Sequence, residues 1–329
     1  MLGDNIQLDN LSIRLSVGSA MSLGLRPVKA DVLPSTVYTM LGEFCIGKCR
    51  FCTQSMDNKA DKKYLSRVTW LEFDLNLVLD RIRNTGNARR ICIQTLKYPD
   101  LMADMFILVE AINKISDLPI SVCINPLDKG LLLQLKNLGV GRVGVGLDCA
   151  SQRIFTEMKP GFSWDCYNHF LVDVAEVFGT AAVHLVVGLG ETDEELVEQF
   201  QRVSDMNCGV SLFAFTPVKG TNLSFPSPEI GRYRALQLVR YLIVHKLARF
   251  SDIYFENGKI KSINVSPAIL ESTINSSNVF ETSGCPGCNR PMYNERPRGA
   301  IYNHSAPLSK DQVGKANREL RQYIQLFTG

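Results

Sequence analysis

The chain has 329 residues, of which 45% are hydrophobic and 21% are charged, and its formal net charge is +3. This composition is typical of a soluble globular protein, and the length fits one α/β barrel with extensions or two domains. The nearly neutral charge gives no argument for a nucleic-acid or membrane partner. No apolar run reaches the roughly 18 residues of a membrane span, and residues 1–27 lack the basic start of a secretory signal. We therefore expect a cytoplasmic protein.

Strands and helices are predicted to alternate along the chain. Runs rich in β-branched and apolar residues predict strands at 36–41, 91–96, 119–125, 141–148, 181–189 and 209–216. Apolar residues at helical spacing predict helices from Thr69, over 101–115, 127–138, 152–158 and 165–178, from Thr192, and over 229–249 and 310–327. Thr69 with Glu72, and Thr192 with Glu195, have the spacing of a capping box. Residues 252–265 predict a hairpin that turns at Asn257 and Gly258.

Six successive strand–helix units predict parallel strands joined by right-handed crossovers. The expected fold class is α/β, with a (βα) barrel that is either a partial (βα)6 barrel or a complete TIM-like one, and a C-terminal extension. An open doubly wound sheet satisfies the same alternation. We divide the chain into an N-terminal extension (1–35), a barrel core (36–250) and a C-terminal extension (251–329). In such barrels the chemistry lies at the carboxyl ends of the strands.

Ten cysteines is a high number for a cytoplasmic chain, and five of them are clustered in sequence. Cys45, Cys49 and Cys52, spaced Cys-x3-Cys-x2-Cys, directly follow the first barrel strand. Clustered cysteines in a reducing compartment more often bind metal than each other. Three thiolates can hold three irons of a [4Fe–4S] cluster and leave the fourth iron open. A zinc loop or three structural cysteines are the alternatives, although zinc usually needs a fourth ligand and the loop contains no further His or Cys.

This loop, with Phe51 before its third cysteine, resembles the signature of the radical S-adenosylmethionine (SAM) superfamily, and residues 36–223 resemble its biotin synthase group. The resemblance implies a cluster that binds SAM and cleaves it to a 5′-deoxyadenosyl radical. The SAM contacts that it implies are Phe51, Asp148, Ser151, Gly188, Gly190, Glu191, Lys219 and Gly220. Asn222 replaces a proline of the family, and residues 95–97 stand where many members have a glycine-rich segment for the SAM amine. An ordinary strand-to-helix turn at 188–191 and a helix cap at Asp148 are the structural alternatives.

A second cysteine pair lies in a loop-rich segment, where Cys285-Pro-Gly-Cys288 turns two sulfurs toward one metal. We favour an auxiliary iron–sulfur cluster over a zinc knuckle and over a redox-active disulfide. Biotin synthases carry auxiliary-cluster cysteines at the positions of Cys92 and Cys123, while their third, on the fifth strand, is missing here. The resemblance thus implies a four-cysteine site inside the barrel. Buried structural roles for Cys92 and Cys123 are the alternative, and we expect His184, near the missing cysteine, to be a core residue and not a ligand.

The run Cys-Pro-Gly-Cys-Asn-Arg-Pro-x-Tyr-Asn-Glu-Arg-Pro at 285–297 resembles the carboxy-terminal signature of the two-protein lipoyl synthases. Cys-Thr-Gln at 52–54 is similar to the Cys-Pro-Gln of the first member of that pair. The resemblance implies lipoyl synthase activity, in which an auxiliary [4Fe–4S] cluster donates sulfur to C6 or C8 of a protein-bound octanoyl chain. The implied partners are an octanoylated lipoyl carrier protein or domain, a second radical SAM lipoyl synthase subunit, and an electron donor such as ferredoxin or flavodoxin. Arg290, Arg296 and Arg298 are candidates for binding the carrier or guiding the substrate, or are surface charges.

Three other functions fit parts of this pattern. A biotin synthase applies the same chemistry to dethiobiotin, but the missing fifth-strand cysteine and the added C-terminal pair argue against it. A radical SAM enzyme of another substrate class would use the second cluster only for electron transfer. A non-catalytic iron–sulfur scaffold is the alternative outside the enzymes. Cleavage of SAM by the reduced protein separates the scaffold from the others, and loss of sulfide during turnover separates sulfur insertion from electron transfer.

Overall fold

A computed structural model describes residue 11 and residues 13–27, 32–291 and 299–326 of the chain. Arg296 and Arg298 lie outside the described residues. The strands within these ranges are β1 (Ile13–Ser16), β2 (Thr36–Leu41), β3 (Tyr64–Leu65), β4 (Val68–Phe73), β5 (Arg90–Thr95), β6 (Ile120–Ile124), β7 (Val140–Asp148), β8 (Ala182–Val187), β9 (Gly209–Ala214), β10 (Ile253–Glu256) and β11 (Lys259–Ile263). The α-helices are α1 (Val17–Ser22), α2 (Leu75–Arg83), α3 (Leu101–Asn113), α4 (Lys129–Asn137), α5 (Gln152–Met158), α6 (Trp164–Phe178), α7 (Asp193–Asp205), α8 (Ile230–Val244), α9 (Pro267–Ile274) and α10 (Lys310–Arg321).

Nine strands form one sheet in the order β3-β4-β1-β2-β5-β6-β7-β8-β9. The six strands from β2 to β9 in this order are parallel, and helices connect them. They form a curled half-barrel, so the α/β prediction is confirmed in its partial (βα)6 form. In the described part of the chain β9 pairs only with β8, so the sheet does not close into the complete TIM-like alternative.

The helix predicted from Thr69 is present as α2, but its predicted start is wrong, because residues 68–73 form β4 and α2 begins only after Asp74. The Asp74 carboxylate caps that helix by accepting a backbone hydrogen bond at 2.9 Å. Val68 and Trp70 are buried on one face of β4, and the strand pairs with β1, which the sequence patterns do not predict. Alternate burial and this long-range pairing outweigh the capping-box spacing.

The capping box predicted at Thr192 is confirmed. The Thr192 side chain accepts a hydrogen bond from the N–H of Glu195 at 3.1 Å, and the Glu195 carboxylate accepts one from the N–H of Thr192 at 2.8 Å. The helix that begins there, α7, packs against β9 and α8 and buries Leu196, Phe200 and Val203 in the main hydrophobic core. The period-3.6 stripe therefore faces the sheet, as the sequence predicts.

The C-terminal cysteine turn, residues 285–288, is anchored to the first and the last parallel strand. Ser283 Oγ accepts a hydrogen bond from the N–H of Leu212 in β9 at 2.9 Å. Asn289 Oδ1 accepts one from the N–H of Ser35, directly before β2, at 2.9 Å. Because Ser35 precedes β2, the second anchor lies at the amino ends of the parallel strands. The cysteine turn therefore enters the half-barrel at the end opposite to the loop that follows β2.

None of the helices within the described ranges combines the length and the apolar composition that crossing a membrane requires.

A buried carboxylate holds the turn between β8 and α7. Glu191 accepts hydrogen bonds from the N–H groups of Gly188 and Leu189 at 2.9 and 2.8 Å. Arg232 of α8 donates to the same carboxylate at 2.9 Å and pairs with Asp193 at 2.7 Å. Glu191, which the resemblance assigns to SAM binding, is thus bonded to the protein's own backbone and to α8. Its carboxylate sets the shape of the turn.

Glu191→Ala is expected to lower the free energy of unfolding by about 3 kcal/mol, because two buried N–H groups and part of a buried ion pair lose their partner. Glu194→Ala is the matched control: its side chain is exposed in the first turn of α7, where a lost helix-dipole contact costs under about 1 kcal/mol. Urea unfolding of both variants under the same anaerobic conditions measures the difference. Equal losses in the two variants would contradict the structural role of Glu191.

Candidate active site

A cavity of about 290 Å³ lies inside the half-barrel. Successive side chains of a strand point to opposite faces, so residues two positions apart face the cavity together. The strand residues that line it include Tyr38, Met40, Cys92, Gln94, Ser121, Cys123, Gly144, Gly146, Asp148, Ala182, His184, Ser211 and Phe213. The cavity also brings together all seven cysteines that the sequence predicts as ligands, namely Cys45, Cys49, Cys52, Cys92, Cys123, Cys285 and Cys288.

The cluster loop, residues 45–52, is held by side chains that bind its carbonyl groups. Asn58 Nδ2 donates to the carbonyl oxygens of Cys52 at 2.7 Å, Arg50 at 3.2 Å and Cys49 at 3.3 Å. The Lys62 ammonium donates to three carbonyls just beyond the loop, at 3.0 Å to two of them. Six main-chain acceptors are thus satisfied without a regular element, which holds the loop in one conformation.

The loop after β9 closes against the cluster loop. The N–H of Asn222 lies 2.9 Å from Asn58 Oδ1 and 3.1 Å from the Arg50 carbonyl. A proline, which the family has at this position, possesses no N–H, so the departure adds a contact to the cluster loop. The carbonyl of Gly220 accepts a hydrogen bond from the N–H of Lys59 at 2.8 Å. Gly220 has φ 91°, and a Cβ there would come within 2.7 Å of this backbone, which explains the glycine.

The three cysteines of the loop form a partly buried thiol set after the carboxyl end of β2. Burial raises the pKa of Cys49 to about 12 and that of Cys52 to about 11. Both thiols are therefore protonated at neutral pH in the metal-free chain, and metal binding must displace those protons. The N–H of Gly47 lies 3.3 Å from Cys45 Sγ, and a Cβ at Gly47 would lie 3.2 Å from that sulfur. The loop thus leaves room around its sulfurs, and its donor set fits a [4Fe–4S] cluster.

Lys159 is a site residue that sequence patterns do not indicate. Its buried ammonium donates to the Asp148 carboxylate at 2.8 Å and to the Gly146 carbonyl at 2.5 Å, and it lies 4.3 Å over the ring of Tyr167. Burial alone lowers the pKa of Lys159, but the charge of Asp148 and its other neighbours raises it well above its usual value. The backbone of Asp148 is left-handed, with φ 64°, and the ion pair with Lys159 stabilises this conformation. The Asp148 carboxylate is thereby held beside the cluster loop.

The predicted SAM contacts divide into two groups. Phe51 and Asp148 line the cavity. Ser151 does not, because its hydroxyl donates to Glu195 at 2.7 Å, and the side chain of Lys219 is exposed. The structure does not bring six of the predicted residues to the cavity wall, namely Ser151, Gly188, Gly190, Glu191, Lys219 and Gly220.

The four cysteines of the predicted second site come from three parts of the chain. Cys92 and Cys123 face the cavity from neighbouring strands, with Cys123 within hydrogen-bonding reach of the Cys92 thiol. Cys288 packs against the same apolar cluster as Cys92 and Cys123. Burial raises the pKa values of Cys285 and Cys288. A Cβ at Gly144 of β7 would come 2.6 Å from Cys123 Sγ, so the glycine leaves space at that sulfur.

His184 and Arg290 line the cavity beside these cysteines. Burial lowers the pKa of His184 to about 4, so its imidazole is neutral at neutral pH, and Nε2 lies 3.8 Å from Cys123 Sγ. Of the two alternatives for Arg290, the surface charge is wrong. Arg290 is 8% exposed, and its guanidinium lies 4.0 Å from the centre of the Phe213 ring. A side chain buried in the cavity wall has no surface to offer a carrier protein.

The model of the radical SAM superfamily matches residues 39–203 of the chain, a range that contains the whole cluster loop. The chain belongs to the radical SAM superfamily. Membership of this enzyme family implies a [4Fe–4S] cluster and SAM as cofactors. None of the curated proteins compared with this chain matches it.

Solved structures with a similar fold include the following two. Methylornithine synthase (PylB) has a TM-score of 0.53 and 12% sequence identity, and the match covers 87% of this chain and 80% of that one. The [FeFe]-hydrogenase maturase HydG has a TM-score of 0.50 and 14% identity, and the match covers 64% of this chain and 49% of that one. Such identities concern the fold alone, and neither protein is a lipoyl synthase.

Lys62→Met is expected to accelerate iron loss from the radical SAM cluster to a chelator by roughly tenfold, because three carbonyls near the cluster ligands lose a charged donor. Lys63→Met is the matched control, since that lysine is exposed and pairs with Asp61 on the surface. Both variants are made in a Cys285→Ala/Cys288→Ala background, so that the measured absorbance belongs to the loop cluster. Identical rates for the two lysine variants would refute the role of Lys62 in holding the loop.

Proposed function

We propose that this enzyme is a sulfur-inserting radical SAM enzyme with lipoyl synthase activity, the first member of a two-protein pair. The observation that carries the proposal is the shared cavity. Cys92 and Cys123 from the barrel, and Cys285 and Cys288 from the C-terminal cysteine turn, line the same space as the cluster loop. This supports a second cluster that can meet a substrate already facing the SAM site.

The cluster loop and the C-terminal cysteine turn enter the cavity from opposite ends. The cluster loop follows the carboxyl end of β2, whereas Asn289, next to the C-terminal cysteine turn, is bonded just before β2 begins. When bound, the loop cluster would supply a 5′-deoxyadenosyl radical from SAM, which takes a hydrogen atom from carbon. The auxiliary cluster would supply a sulfide that bonds to that carbon while one of its irons takes up the remaining electron. A substrate carbon between the two ends would face both, and the protein's own part is to hold it there and to exclude water.

The arginines around Cys92, Cys123, Cys285 and Cys288 suit a site that carries negative charge. Arg90, Arg142 and Arg290 lie near these cysteines and offset the negative charge that four thiolates would carry.

The walls between the two thiol sets suit an apolar substrate. Apolar side chains line the cavity beside the polar and thiol groups, namely Met40, Leu96, Ile124, Val186, Phe213 and Phe215. Such walls contact an unbranched acyl chain along its length without needing polar partners. We therefore keep as partners the octanoylated lipoyl carrier protein or domain, a second radical SAM lipoyl synthase subunit, and a ferredoxin or flavodoxin as electron donor. The buried Arg290 is then a candidate for guiding the substrate.

Iron content tests the second cluster. After anaerobic reconstitution we expect about eight irons per wild-type chain and about four in the Cys285→Ala/Cys288→Ala variant. Cys166→Ala/Cys208→Ala is the matched control and should keep about eight, because neither residue lines the cavity. About four irons in all three proteins, with zinc in the wild type only, would reduce the cysteine turn to a structural zinc knuckle and remove the proposed sulfur source.

Isotopically labelled sulfide tests sulfur insertion itself. An enzyme reconstituted with labelled sulfide should transfer the label to C6 or C8 of an octanoylated lipoyl domain when SAM and a reductant are added, with 5′-deoxyadenosine as the by-product. Mass spectrometry of the domain measures the transfer. If dethiobiotin is offered as a second substrate, labelled biotin without label in the octanoyl chain would identify the biotin synthase alternative. SAM cleavage without any label transfer would leave the auxiliary cluster as an electron carrier.

A further inference from the structure

Each sulfur of the proposed auxiliary site has a polar side chain of its own within contact distance. Tyr38 O–H lies 2.9 Å from Cys288 Sγ, and Gln94 Nε2 lies 3.1 Å from Cys92 Sγ. Ser121 Oγ lies 3.9 Å from Cys285 Sγ, and His184 Nε2 lies 3.8 Å from Cys123 Sγ. Four side chains from four strands thus face four sulfurs, one to each.

Strand register brings these side chains to the site. Tyr38 of β2 pairs with Cys92 of β5, and Cys92 pairs with Ser121 of β6, so the three lie side by side at one level of the barrel. Because the strands are parallel, their inward-facing side chains at one level form a layer. The C-terminal cysteine turn meets this layer, with Cys288 at Tyr38 and Cys285 at Ser121.

These side chains can donate the hydrogen bonds that a metal-bound thiolate accepts. A thiolate can only accept, and the phenol of Tyr38 and the amide NH2 of Gln94 can donate to it. Arg90 Nη1 donates to Ser121 Oγ at 2.7 Å, which occupies an acceptor site of that hydroxyl and leaves its hydrogen for Cys285. Tyr38 makes the shortest of the four contacts, and its side chain is buried.

The cluster loop uses a different kind of donor. The Cys45 sulfur accepts a hydrogen bond from the backbone N–H of Gly47, and the Cys52 sulfur accepts hydrogen bonds from those of Gln54 and Ser55. Backbone donors are fixed by the fold of the loop, whereas side-chain donors can rotate. A cluster that is kept through many turnovers suits the first arrangement, and a cluster that gives up sulfide and iron suits the second.

We propose that Tyr38, Gln94, Ser121 and His184 form the hydrogen-bond shell of the auxiliary cluster, and that the Tyr38 bond to Cys288 sets its reduction potential and its retention of iron. The inference rests on the proposed function, because it needs the second cluster. Hydrogen bonds to the sulfurs of a cluster stabilise its reduced state and raise its potential. Tyr38 is here a positioning residue, since it acts on the cluster through Cys288.

The test is Tyr38→Phe in the reconstituted full chain, with Tyr233→Phe as the matched control. Tyr233 is also buried, but its hydroxyl bonds to Asn303 and lies outside the cavity lining. Anaerobic redox titration followed by electron paramagnetic resonance gives the potential of each cluster, and a chelator assay gives the rate of iron loss. In Tyr38→Phe we expect a more negative auxiliary potential and iron loss from that site about tenfold faster. The potential of the SAM cluster stays unchanged, and Tyr233→Phe behaves as the wild type.

Two outcomes would overturn the inference, and iron content tells them apart. If the wild type holds about eight irons and Tyr38→Phe matches Tyr233→Phe in potential and in iron loss, the hydrogen-bond shell is wrong while the proposed function stands. If the wild type holds only about four irons, both the auxiliary cluster and its hydrogen-bond shell are refuted.

Discussion

The structure depends on the register of its parallel strands, because register decides which side chains share the cavity. Pairing of β2 with β5, and of β5 with β6, sets Tyr38, Cys92 and Ser121 at one level. The next inward-facing level holds Gln94 paired with Cys123. A shift of one residue in any of these strands would turn its inward-facing side chains to the opposite face of the sheet. The second thiol set would then lose either a sulfur or its donor.

The C-terminal cysteine turn lies at the amino ends of the parallel strands. Ser283, bonded to Leu212 of β9, and Asn289, bonded to Ser35 before β2, hold the turn on both sides. Cys285 and Cys288 thereby lie near sulfurs that are far from them in sequence. The cluster loop lies at the other end, where Asn58 and Lys62 hold it. The two ends are built differently: polar side chains bind the carbonyls of the loop, whereas side chains of the strands contact the sulfurs of the second set directly.

Short motifs and alternation were the reliable guides, and long-range contacts caused the errors. The Thr192 capping box is confirmed because both of its partners lie within one turn. The one expected at Thr69 fails because pairing with β1 claims that segment as a strand. Arg290 looks like a surface charge beside other arginines, yet it lies against Phe213 in the cavity wall. Lys159, directly after α5, carries no sequence signal, since its buried ammonium pairs with a carboxylate at the end of β7.

The sequence by itself determined the superfamily, the six strand–helix units and the seven cysteines that line the cavity, because these depend on local spacing and on the period of apolar residues. Only the tertiary structure decided that the barrel is partial, that the C-terminal cysteine turn enters from the amino end, and that Glu191 is bonded to Arg232 of α8. These features rest on contacts between residues far apart in the chain, and no local pattern encodes which strand edge stays open or which buried carboxylate finds an arginine.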